Sequence, residues 1–340
     1  MVMDTPPKNI LPSSLFLFLL GLLLGGCNSD AKPGFLSSMG YHIGKTKVWI
    51  KSPRSGMEIF SVNEVVGADP KTFYSKTLTS RDGRSQVIGF DARSVFWGFE
   101  QVEGADTNTF EYVGSEYFKD KSHGYHFANR ISEDAPHFEL YDEFARDSTN
   151  VYFGGSVFSD DASNFVRIGE APSRFYKDRI RCWFFISPIS EADPATIRYI
   201  GKDYAMDEKR VFHQMNVIDS ADPASFKTLQ HDFSCDERAV YLQSVLIEGA
   251  DPVSFRVLDE RNGIDKAYCF YYGKILAEAD PVTFRLIDEF YSTDSMHVWI
   301  NGTLITGADP VTFRVVQGPG GKSRDAKNEY DMAERVGPSK

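Results

Sequence analysis

Cysteine is scarce in this chain of 340 residues, with four in all. A disulfide-stapled scaffold needs a denser set, so the fold must rest on a hydrophobic core. No tract of basic residues occurs either. Lys and Arg number 37 against 48 Asp and Glu, a net charge of −11 spread along the chain. Phosphate backbones are bound through basic footprints, so no nucleic-acid partner is expected, nor docking on anionic head groups through a basic patch. G-x-S-x-G and H-E-x-x-H are also missing, and with them the usual presentations of a nucleophilic serine or a zinc ion. No catalytic residue is assigned, and the chain is expected not to be an enzyme. What is present is a 42% hydrophobic and 14% aromatic composition, enough for a core and favourable to strands.

The N-terminus reads as a targeting segment. Leu15 to Leu24 ("LFLFLLGLLL") is an apolar run too short to span a bilayer comfortably. It ends in "LGGC", residues 24 to 27, which resembles the lipobox of bacterial lipoproteins. The resemblance implies that residues 1–26 are a lipoprotein signal peptide and that Cys27 is lipidated and becomes the mature N-terminus. Acyl chains there would hold the protein at a membrane without a spanning helix. Asn28 is not the Asp that the resemblance associates with inner-membrane retention, so the outer membrane is favoured in a Gram-negative cell. Residues 27–40 read as a linker. Of the remaining cysteines, Cys182 and Cys269 occupy a slot that holds Val in other repeats, so they read as small buried residues.

From residue 41 to 316 the chain repeats itself. One marker is an Asp followed four residues later by Val or Cys and then an aromatic. Asp207, Asp236, Asp265 and Asp294 keep it at a spacing of 29 residues. The other is an Asp with an apolar residue four places on, mostly in "ADPxxF". Asp222, Asp251, Asp280 and Asp309 keep the same spacing. About nine units are expected, the first enlarged around "KSPRSGMEIF", with residues 317–340 a degenerate cap and loose tail in which Asp325 and Tyr330 of "RDAKNEYD" mark the start of a degenerate tenth unit. Within a unit, Phe226–Phe233 has strand composition and "DERA" from Asp236 makes a turn. Val240–Leu242 is a second strand. A two-residue turn follows, clearest at Asn301-Gly302 and filled elsewhere by Gly154-Gly155 and Gly273-Lys274. A third strand leads to "ADPVSF", one helical turn with Asp251 as its cap. The fold expected is all-β, a tandem array of three-stranded antiparallel units. An elongated stack fits better than a closed propeller, whose blades are longer. A column of aromatics (Trp97, Tyr152, Trp183, Phe212, Tyr241, Phe270, Trp299) is expected through it.

The unit "Y-x-x-D-x-x-x-V-Y…ADPxxF" resembles the DKNYY repeat family. Its core stands here as "MDEKRVFH" (206–213), "CDERAVYL" (235–242) and "RDSTNVYF" (146–153). The aromatic three before the Asp is missing at Ile88 and Asn262, where irregular units are expected. The resemblance implies repetition and an envelope setting, with no activity or catalytic residues to carry over.

The two ladders of aspartates invite a calcium reading. Calcium wants about 6–8 converging oxygens, however, and each Asp here has a turn or a cap to form. His123 and His126, three apart on a strand, would face opposite ways, which disfavours zinc. No metal or cofactor is assigned. The expected function is a lipid-anchored envelope protein presenting a repeat β surface to another envelope protein or serving a structural role. The alternative is an envelope hydrolase or a polysaccharide-binding or processing accessory.

Overall fold

The computed structural model describes residues 40–53, 60–316 and 321–339. The leader, Cys27 and most of the linker lie outside the described residues. The rest divides into two compact units, one ending at Ser163 and the other starting at Asn164. Ten antiparallel sheets follow one another, each with its strands in chain order and none closed into a barrel. The first four belong to the first unit and the last six to the second.

The seventh sheet shows how the sequence makes one. Its strands are Lys227–Thr228, Phe233–Cys235, Val240–Leu242 and Val245–Leu246. Cys235 pairs with Val240 and Phe233 with Leu242, so the residues of one pleat face meet the same core. Four strands stand where three were expected. The segment Phe226–Phe233, read as one strand, turns back on itself: the Phe233 N–H donates to the Gln230 carbonyl, and His231 takes a φ of 51°. The extra strand is only two residues long, and two residues show no alternation. Nine of the sheets have four strands; the first, Gly40–Ile43, Val48–Pro53 and Phe60–Glu64, has three. The enlargement around "KSPRSGMEIF" lengthens the hairpin between the last two of these.

Three further expectations are corrected. Residues 322–338 are not a loose tail: Lys322–Arg324, Asn328–Asp331 and Glu334–Pro338 join Arg314–Val315 in a regular tenth sheet. The sheet containing Asn262 is as regular as the others, because Asn262 bonds to the Asp259 carboxylate beside it, whereas the sheet containing Ile88 does differ, its first hairpin pairing Tyr74–Thr79 with Ser85–Phe90 over six residues. The turn read as Gly273-Lys274 is Tyr272-Gly273, with φ of 46° and 74°. The Asn301-Gly302 turn has the expected positive φ at both positions, 48° and 73°.

Each core is shared by two successive sheets. Phe233, Cys235, Val240 and Ile247 of the seventh pack with Phe270 of the eighth. The aromatic column is not the direct one expected. The connector Phe sits between two rings: Phe255 lies 5.6 Å from Phe233 and 5.8 Å from Phe270, and Phe226 lies 5.9 Å from Tyr204 and 6.2 Å from Tyr241. In the second sheet the member is Phe96, fully buried, and not Trp97, which packs on Phe127 instead. One sheet alone would leave this face wet. Burying each such ring is worth about 1.5–3 kcal/mol, which is why the unit recurs.

Candidate functional site

The residues with the most chemistry are the two aspartate ladders, and the structure joins them. Asp236 opens the turn after the second strand, and its Oδ1 accepts the N–H groups of Arg238 and Ala239 at 2.7 and 2.8 Å. Its Oδ2 accepts the backbone N–H of Asp222 at 2.9 Å, from the preceding connector, and the Tyr241 hydroxyl at 3.0 Å. Asp222 in turn accepts the Ala224 N–H and the Ser225 hydroxyl, and Ser225 Oγ accepts the N–H of Glu237. Connector and turn are thus closed into one clasp. The bond from turn carboxylate to connector amide recurs seven times among the described residues, at 2.9–3.0 Å. In the fourth sheet Ser132 relays it, donating to Asp147 and accepting from the Asp134 amide.

Asp236 is 3% exposed, so its environment decides its charge. Burial pushes its carboxyl up, but the amides of Asp222, Arg238 and Ala239 and the Tyr241 hydroxyl outweigh burial and hold it below 3.8. The same balance lowers Asp120, Asp294 and Asp325, the last to about 2. All four hydrogen bonds on Asp236 come from the protein itself, which leaves its oxygens committed to the clasp. Among the described residues no three His, Cys, Asp or Glu side chains are placed to hold a metal ion.

The histidines do not converge. His123 lies 3.2 Å from Glu133, His126 packs on the Tyr117 ring, and His137 bonds to Asp134. Cys182, Cys235 and Cys269 are buried free thiols, as the Val slot suggested for Cys182 and Cys269. Burial pushes Cys182 and Cys269 up to about 12. An open cavity of about 290 Å³ lies between the connector Ser190–Thr196 and the turn Asp207–Arg210; of its four carboxylates Asp193 and Asp207 are themselves a clasp pair, Glu191 pairs with Arg210 at 3.0 Å, and Glu208 completes the lining. Cys27 falls outside the described residues.

The surface carries a pattern that charge counting concealed. In the last five sheets of the second unit the residue after the connector Phe or Ile is a cation, Arg198, Lys227, Arg256, Arg285 and Arg314, all exposed and 29 residues apart; after the first connector of that unit, Phe165, stands Val166. Three residues before the last three stand Val253, Val282 and Val311, at 90%, 87% and 77% exposure. The constant spacing was visible in the sequence. Its meaning was not, because nothing there shows which charges are neutralised. The large aromatics tell the opposite story: Trp183, Trp299 and Tyr241 are buried, and the connectors offer no exposed ring.

No curated protein and no solved structure matches this chain. The model of the DKNYY family matches residues 129–271 and 204–333, together more than half of the sequence. With its clasped, tandem β units, the chain belongs to the DKNYY family.

Proposed function

We propose that this chain is a lipid-anchored bacterial envelope protein, held through Cys27, that binds another envelope protein on the exposed surface of its β array. The observation that carries the reading is the commitment of the recurring aspartates to the clasp. The chemistry-bearing residues serve the scaffold, and what varies and faces solvent is the surface of the connectors and outer strands. Repeat arrays offer extended surfaces of this kind to partners. "LGGC" supports the anchor. No side chain is assigned a catalytic role.

Two measurements test the two halves. Cys27→Ser should release the mature protein from membranes on fractionation; retention equal to the wild type would defeat the anchor. Chemical crosslinking in intact cells, followed by mass spectrometry, should capture a defined protein partner. Capture of nothing beyond the chain itself would defeat the binding role.

A further inference from the structure

The structure assigns the basic ladder of the second unit to an acidic polypeptide: we propose that Lys227, Arg256 and Arg285, with Arg198 and Arg314 beside them in sequence register, bind an extended protein segment that mixes carboxylates with apolar residues. This rests on the protein-binding reading above and names the chemistry of the partner.

The argument is a contrast within one fold position. In the first unit the residue after the connector Phe is Tyr74, Glu111 or Glu139, and the two glutamates carry the contrast. Each is in register with a cation on the next strand, and the pair is neutralised there: Glu111 with Lys119 at 3.4 Å, Glu139 with Arg146 at 2.6 Å. In the last five sheets of the second unit the same position carries the cation, and in the middle three of these the residue in register is uncharged. Lys227 faces Cys235, Arg256 faces Ile264 and Arg285 faces Thr293. None of these three cations makes an ion pair among the described residues. At the two ends, Arg198 contacts the Met206 sulfur, and Arg314 donates to the Phe313 carbonyl and faces another cation, Arg324. On a chain of net charge −11, one such cation on each of five successive sheets stands out as a cationic strip. Stacked sheets lie about 10 Å apart, so the charges recur at a pitch that one extended chain could follow.

The neighbours of the strip choose among polyanions. Glycan and single-stranded nucleic-acid grooves are built with exposed aromatic platforms, whereas the connector rings beside the strip are in the core and the half-exposed rings of this unit are two tyrosines, Tyr268 and Tyr272, of a single repeat. The strip is flanked in sequence by exposed valines, 253, 282 and 311, which suit apolar side chains of a peptide.

The test uses the full mature chain and three polymers of similar length: a random copolymer of glutamate and tyrosine, polygalacturonate and oligothymidylate. The copolymer should bind best. The triple variant Lys227→Gln, Arg256→Gln, Arg285→Gln should bind it at least about tenfold more weakly, as the loss of three exposed charge contacts requires. A control triple with the same charge change in the first unit, Lys45→Gln, Arg81→Gln, Arg93→Gln, should bind as the wild type does. Equal loss in the control would show unspecific attraction and overturn the site. Tighter binding of polygalacturonate or the oligonucleotide would overturn the polypeptide assignment. Binding of none would overturn the proposal as a whole, while a partner captured by crosslinking in cells would leave the protein-binding role standing on some other surface.

Discussion

The Asp236 carboxylate holds the backbone N–H of Asp222, fourteen residues earlier, and the Tyr241 hydroxyl on the same oxygen. Two donors aimed at one oxygen make the turn aspartates intolerant of Asn, whose amide would place a third donor against them. Asp236→Asn and Asp236→Ala should each destabilise by about 2–3 kcal/mol. The connector aspartates are different. Asp280 and Asp309 accept one amide or hydroxyl per oxygen, as an N-cap does, and Asp251 Oδ2 accepts the Ser254 hydroxyl while meeting the exposed Lys266 ammonium at 3.0 Å. Asp→Ala there should cost about 0.5–2 kcal/mol, and Asp→Asn or Asp→Ser should be nearly silent. Chemical denaturation of these variants separates the two classes. A chelator that lowers the wild-type melting temperature, together with damage from Asp→Asn at the connectors, would point to calcium instead.

The second expectation concerns Gly302, at φ 73°. A Cβ there would fall 2.4 Å from Tyr271 Cδ1, so Gly302→Val should cost more than backbone strain alone, about 2 kcal/mol or more. Gly307, at φ 78° with open space around its missing Cβ, is the control. Gly307→Ala should cost only about 1 kcal/mol. Equal losses at the two sites in thermal melts would remove the Tyr271 contact from the explanation.

Much of this was legible in the sequence, for identifiable reasons. The positions of Asp236 and Asp222 marked a turn and a connector because Asp, Pro and Gly act locally. Cys182 and Cys269 were readable as core because the repeat supplied Val for comparison. The link between the two aspartates was not legible. An offset of fourteen residues in five of the seven pairs was there to see, but it does not say that a side chain reaches back to a main-chain amide. Lys227–Thr228 was missed because a two-residue strand has no period. Trp97 was taken for Phe96 because the repeat tells ring from ring only when the count from the Asp is kept strictly. Tyr272 was not legible as a turn residue because a positive φ is usually the place of Gly or Asn.

Acid should unfold the array through the clasps. The folded carboxyls of Asp120, Asp236, Asp294 and Asp325 lie below their unfolded value of 3.8, Asp325 at about 2. A depressed carboxyl contributes stability that is whole above the unfolded pKa and is lost as pH falls through the folded one. Melting temperature should therefore hold steady down to about pH 4 and drop between about 4 and 2. A loss confined to neutral pH would assign the transition to histidine and not to the clasps.

Thiol labelling tests the packing of the cysteines. Cys182, Cys235 and Cys269 are buried, and burial raises all three thiols. In the native protein at mildly alkaline pH they should resist iodoacetamide, and in guanidinium all three should react. Rapid native labelling of Cys269, mapped by peptide mass, would mean that the core between the eighth and ninth sheets is open.

Site-specific photo-crosslinking in intact cells reaches the proposed function most directly. A benzophenone side chain at position 282, where Val282 is 87% exposed, should yield a discrete adduct with another envelope protein. The same probe at position 298, where Val298 is fully buried, should yield none. Adducts that appear equally from both positions, or from neither, would contradict a protein that works by presenting the surface of its repeats to a partner.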